Sequence, residues 1–196
     1  MSRHGDYFEF FGLPRKLNLD LSDLEQRFRT LSRQFHPDFF YNATPAERLA
    51  SLERSSYLND GYRTLHQPIS RMEYLLKIEG LGPKSPKEAS RQVPPALLEE
   101  VFALNEELDE VRGMRAGGAA AEAWKARLQR ARQPIDVKRI EHEAQLQELA
   151  TRWDGLDAAA PDTERASALA ALRDCFLERN YITNLLAGIE RELETA

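Results

Sequence analysis

Residues 21–65 read LSDLEQRFRTLSRQFHPDFFYNATPAERLASLERSSYLNDGYRTL, and this stretch decides the fold. Leu21, Leu24, Phe28, Leu31 and Phe35 recur at the three- and four-residue intervals that line one face of an α-helix. Asp20 or Ser22 is suited to cap that helix, and Ser22 has Glu25 three residues on, a capping-box spacing. Pro37 disfavours helical backbone in the residue before it, so the helix stops near His36. A second start follows: Thr44 as N-cap, Pro45 at the first helical position, Glu47 completing the box. From there Leu49, Leu52, Leu58, Tyr62 and Leu65 make a second stripe, with Ser55 and Ser56 small enough to permit close approach. Two stripes and a Pro-bearing break predict an antiparallel helical hairpin with an exposed loop from His36 to Asn42. The aromatic segment Tyr7-Phe8-Glu9-Phe10-Phe11 is expected to pack across the pair.

Helical periodicity continues beyond the hairpin and no alternating strand pattern is sustained, so the fold class is all-α. Gly80-Leu81-Gly82-Pro83-Lys84-Ser85-Pro86, followed by Val93-Pro94-Pro95, cannot continue a helix. This places a linker at 80–93 between an N-terminal module, 1–79, and a C-terminal module, 94–196. Further breaks at Arg112–Gly118 and from Asp154-Gly155 to Pro161-Asp162 divide the second module into a three-helix bundle. Its first helix has Leu97, Val101, Leu104, Leu108 and Val111 on one seam; its last has Leu172, Cys175, Ile182, Leu186, Ile189 and Leu193. The middle helix carries Trp124, Leu128, Ala131 and Ile135, then Leu146, Leu149 and Trp153, with a kink or short break expected at Gln133-Pro134. Trp124 and Trp153 are assigned to the bundle core, and Cys175 to a buried packing thiol. Leu98 and Phe102 lie roughly 100–140° off the first seam, and Leu169 and Phe176 roughly 100° off the last. Large apolar groups off the core face, beside Asn105, Glu106 and Asp109, point to a partner surface.

The 196 residues are 42% hydrophobic and 30% charged, enough to bury a core without disulfide or metal staples. No run approaches the ~18 apolar residues of a membrane span. The start, MSRHGDYFEFFG, has neither an apolar signal core nor transit-peptide character, so a soluble cytoplasmic chain without a membrane partner is expected. Cys175 is the single cysteine, and His4, His36, His66 and His142 are scattered, so neither an intrachain disulfide nor a bound metal is expected. A net charge of −5 lacks the basic footprint of a nucleic-acid binder. The charge is unevenly placed: residues 1–80 carry 11 basic and 11 acidic side chains, the remainder 16 and 21.

His36-Pro37-Asp38 is the most informative triplet. An enzymatic reading would pair His36 with Asp38 as base and orienter. Neighbours in a tight turn seldom reach that geometry, and no nucleophile motif such as G-x-S-x-G accompanies them. No enzymatic activity is expected. A helix bearing Arg27, Arg29 and Arg33, then His36-Pro37-Asp38, then a capped helix ending in Tyr62 and Leu65, resembles the J-domain family. That resemblance implies docking onto a DnaK-class chaperone ATPase, with the tripeptide stimulating hydrolysis and the arginines meeting an acidic surface. Tyr7-Phe8-x-x-Phe11-Gly12-Leu13-Pro14, and Leu58-Asn59 followed by Tyr62, Leu65, Pro68, Arg71 and Tyr74-Leu75-Leu76, resemble the specialised J-proteins of iron–sulfur cluster assembly, the HscB-like family. Leu104-Asn105-Glu106-Glu107-Leu108 is similar to that family's scaffold-binding helix. The resemblance implies a second partner, the cluster scaffold protein, on an apolar patch including Leu98, Glu99, Phe102, Glu106 and Phe176. The chain departs from the family's usual pattern at Phe39, Gly61 and Glu73. It is expected to act as a monomer or weak dimer without a cofactor. Two alternatives stand beside this: a J-domain protein with a different client, and a helical adaptor with no chaperone partner.

Overall fold

A computed structural model describes residues 5–82, 93–156 and 160–194, and among them every regular element is helical. The elements are α1 (Tyr7–Phe11), α2 (Leu21–Phe35), α3 (Pro45–His66), α4 (Pro68–Ile78), α5 (Leu98–Ala116), α6 (Ala121–Asp154) and α7 (Asp162–Glu194). Short 3-10 turns span Pro37–Phe40 and Pro95–Leu97. The chain divides into two compact units, Met1–Gly82 with Ala150–Arg165, and Pro83–Leu149 with Ala166–Ala196. Of the expected linker 80–93, residues 83–92 lie outside the described residues, as does His4.

In the first unit the hairpin forms as its caps dictate. Asp20 caps α2, accepting from the amides of Ser22 at 2.8 Å and Asp23 at 3.3 Å. Thr44 and Glu47 close a reciprocal capping box on α3, with Thr44 N–H donating to Glu47 at 2.9 Å and Glu47 N–H to Thr44 Oγ1 at 3.3 Å. The Thr44 hydroxyl, donating to the Glu47 carboxylate at 2.7 Å, and the Thr44 amide together hold that carboxyl below the ordinary carboxylate range.

The phase of α3 differs from the expected stripe. Ser51, Leu58, Gly61 and Leu65 face inward, while Leu49 and Leu52 are exposed. Ser51, rather than Ser55 or Ser56, makes the close approach: its hydroxyl donates to the Phe35 carbonyl at 2.9 Å, tying α3 to the end of α2. Apolar spacing alone misplaced this face because two of its four contact residues are small or polar.

Gly61 lies where α1 crosses α3. A Cβ there would stand 2.9 Å from Phe11 Cε2 and 3.0 Å from Tyr7 Cδ1, so the two rings occupy the room a side chain would take. Phe11 is buried and Tyr7 stacks on Tyr74 at 4.5 Å, leaving neither ring an easy retreat. Gly61→Val is expected to destabilise this unit by about 2–3 kcal/mol through overpacking. Gly113 in α5 provides the opposite case, with open space around it. Gly113→Ala is expected to stabilise by about 0.5–1 kcal/mol through helix propensity alone. Urea titrations of both variants check the pair of signs.

The first unit also holds the C-terminal end of α6 and the start of α7; of the expected break at 154–162, residues 157–159 lie outside the described residues. Trp153, expected in the bundle core, is buried here instead, its indole N–H donating to the Arg15 carbonyl at 3.0 Å. The neighbouring Asp154 carboxylate accepts from the amides of Leu17 at 2.6 Å and Asn18 at 2.7 Å. These side chains satisfy one backbone acceptor and two backbone donors of the connection between α1 and α2, which makes no helix of its own to pair them. Arg71 lies nearby, buried, donating to the Leu65 carbonyl at 2.6 Å. Desolvation lowers its basicity and the Asp154 carboxylate partly opposes that.

The second unit takes the expected seams on α5 and α7. Leu97, Val101, Leu104, Ile135, Ile182, Leu186 and Ile189 form one cluster, and Val111, Trp124 and Leu128 another. Arg115 stacks over Trp124 at 4.1 Å and reaches Glu192 at 2.9 Å, covering the end of the second cluster. Two expected breaks are corrected. α5 continues past Arg112 to Ala116, and the chain turns at Gly118, whose φ of 75° a side chain would strain. α6 runs through Pro134 without interruption. That proline is exposed, so the carbonyl it leaves unpaired one turn earlier is available to water.

Candidate functional site

The loop between α2 and α3 is built to hold His36, Pro37 and Asp38 outward. Pro37 opens the 3-10 turn, where its missing N–H is not needed, and His36 caps it. The Asp38 amide donates to His36 Nδ1 at 3.3 Å, which assigns the neutral imidazole's proton to Nε2. Nε2 is thereby left as a donor and the Asp38 carboxylate as an acceptor; the two side chains are 50% and 87% exposed. The carboxylate stands 3.6 Å from Nδ1. Both side chains face solvent.

The three arginines of α2 separate by environment. Arg27 turns inward: Nη1 donates to the carbonyls of Phe11 at 3.0 Å and Gly12 at 2.9 Å, while Nε holds Asp23 at 3.0 Å. It fastens the end of α1 to α2, with its side chain 41% exposed. Arg29 is 70% exposed and paired with Glu25 one turn back at 2.6 Å, and Arg33 is exposed near the loop. Surface pairs of this kind exchange readily for a better partner.

On α5, Leu98 and Phe102 are exposed, Phe102 at 67%, with Glu99 and Glu106 also exposed. Beside them runs a groove of about 590 Å³ between α5 and α6, lined by Glu99, Glu100, Ala103, Leu104, Glu107, Arg127, Arg130, Ala131 and Pro134. Arg127 bridges it to Glu107 at 2.5 Å, and Lys138 pairs with Glu100 at 3.5 Å.

Phe176 is not part of this surface. It is 1% exposed, and Leu169 is buried too. The covered arc of α7 takes in Ala168, Leu169, Leu172, Cys175 and Phe176, wider than a two-position seam. Apolar residues roughly 100° off the seam are therefore swallowed on α7, whereas on α5 they remain outside.

Cys175 sits in the same core, its Sγ 3.6 Å from His142 Nδ1, which lies 3.5 Å from Glu178. Burial, with Glu178 adding to it, pushes the Cys175 thiol up to about 12. A raised value means the thiolate is scarce at ordinary pH. The native thiol should resist a disulfide-exchange reagent at pH 8 and titrate as one equivalent in denaturant. Fast native labelling would contradict the packing described.

No protein-family model matches the chain. Among solved structures it is similar to the chaperone HscB from Vibrio cholerae, at 29% identity over 97% of this chain and 98% of that one, with a TM-score of 0.61. The chain is HscB-like. It also shares its fold with the human co-chaperone HscB, at 23% identity over 98% of this chain and 84% of that one, again with a TM-score of 0.61. No helix among the described residues of this HscB-like chain is long and apolar enough to cross a membrane.

Sequence reasoning gave two groups no role or the wrong one. Phe39 and Tyr41 are 74% and 79% exposed, and Leu49 and Leu52 join them outside. The signal was available in the run of aromatics at 39–41, which has no apolar partner at hairpin spacing. Trp153 and Asp154 were legible only as a helix end, since nothing local shows which backbone they satisfy.

Proposed function

We propose that this chain is a J-domain co-chaperone: it stimulates ATP hydrolysis by a DnaK-class chaperone and delivers the iron–sulfur cluster scaffold protein to it. The supporting observation is the outward presentation of His36, Pro37 and Asp38 on a fastened hairpin, in a chain whose likeness to a chaperone HscB spans nearly its full length. The 3-10 turn fixes a hydrogen-bond donor and a carboxylate in one relation, so little ordering is needed on contact. Arg29 and Arg33 steer the loop toward an acidic surface on the ATPase. Leu98 and Phe102, with Glu99 and Glu106 around them, take the scaffold. Holding both partners raises the client's concentration at the chaperone. The chain supplies contacts, and the chemistry is the chaperone's.

The test is single-turnover ATP hydrolysis by the cognate chaperone with this chain and the scaffold, separately and together. The reading expects stimulation by the chain alone and a more than additive rate with both. No stimulation by the chain alone would favour an adaptor without a chaperone partner. Stimulation without scaffold synergy would favour another client.

A further inference from the structure

Phe39 and Tyr41 follow the tripeptide directly and are 74% and 79% exposed; Leu49 and Leu52 on α3 are 58% and 55% exposed. Water covers four large apolar side chains within 14 residues of chain. Isolated exposed apolar residues are ordinary, whereas such a concentration beside a presented site marks an interaction surface. The fold keeps them outside: the 3-10 turn packs on α3, and Ser51, Leu58, Gly61 and Leu65 already fill the inward face of that helix.

We propose that Phe39, Tyr41, Leu49 and Leu52 form the apolar half of the chaperone-docking surface and take a nonpolar strip on the same ATPase. The inference rests on the co-chaperone reading and adds the chemistry of the contact. Continuity selects the occupant. The Phe39 ring stands edge-on to His36 at 6.1 Å between centroids, and Asp38 is its neighbour in sequence. A partner that covers His36 and Asp38 cannot avoid covering Phe39. A nonpolar surface suits that ring, because a carboxylate pressed against an aromatic face would be desolvated without a partner. The division of labour follows. Arg29 and Arg33 accelerate encounter and are screened by salt, while buried aromatic area slows departure and is not.

The test titrates the chain into the cognate chaperone at low and high salt and reads the half-stimulating concentration and the plateau rate. Phe39→Ala with Tyr41→Ser should raise the half-stimulating concentration about tenfold at both salt levels, leaving the plateau near wild type. Leu49→Ser with Leu52→Ser should act in the same direction. Arg29→Ala with Arg33→Ala should lose its effect as salt rises. Unchanged half-stimulation in the apolar variants, with wild type active and His36→Gln inactive, overturns this inference and leaves the co-chaperone reading standing. A wild-type chain that gives no stimulation overturns both. Sedimentation supplies a further outcome: a dimer dissociated by Phe39→Ala would assign the surface to a second copy and overturn the proposal.

Discussion

His36→Gln is expected, on the proposed co-chaperone reading, to return the chaperone's ATP turnover to its unstimulated rate while leaving the chain's own thermal unfolding unchanged within about 2 °C. The expectation of unchanged stability comes from the geometry. The side chain is half exposed, its one cap bond to the Asp38 amide is a long 3.3 Å, and the turn it caps is four residues. Surface changes of this kind stay within about 0.5 kcal/mol. The functional loss comes from chemistry that Gln does not reproduce: a planar ring with one nitrogen tied to the turn and the other aimed outward. Asp38→Asn probes the second half, removing the charge at nearly constant shape. Arg27→Ala should behave differently from both. It strips two carbonyls and Asp23 of their partner, so stability should fall by about 1–2 kcal/mol together with any loss of stimulation. Turnover and unfolding, measured on the same samples, separate a contact residue from a fastener.

The parts of the fold that declared themselves in sequence are those where local chemistry and burial coincide. Thr44-Pro45 with Glu47 starts α3 because cap, φ restriction and box agree, and the seam of the first bundle helix repeats because Leu97, Val101 and Leu104 reach one core and Val111 the next. Failures occurred where one residue type does two jobs. Leucines at 49 and 52 fit a helical stripe as well as those at 58 and 65, and only the small contacts Ser51 and Gly61 show which phase faces α1 and α2. Arginine carries the same ambiguity. All three were assigned to docking, yet Arg27 also holds backbone carbonyls left by the turn at Gly12, whose φ is 64°. The tripeptide was legible because Pro37 and Asp38 are poor helix material between two strong helices. The off-seam apolar residues are exposed on α5 and buried on α7, since amphipathicity gives a direction but not the width of what lies opposite.

That difference yields the second large effect, because it assigns opposite behaviour to two phenylalanines that a pattern treats alike. Phe176→Ala should destabilise the second unit by about 3–5 kcal/mol, through lost transfer energy and the cavity left among packed neighbours. Much of the total stability of an ordinary domain is then gone, so weakened scaffold retention by this variant would report unfolding rather than a lost contact. Phe102→Ala, at 67% exposure, should change stability by no more than about 0.5 kcal/mol. If the α5 face takes the scaffold, retention in a pull-down should nevertheless drop about tenfold or more, as for a central aromatic anchor. Denaturant midpoints and scaffold retention on both variants place each residue on one axis. Phe102→Ala retaining scaffold like wild type would remove α5 from the client surface. A Phe176→Ala chain as stable as wild type would contradict the packing of α7 itself.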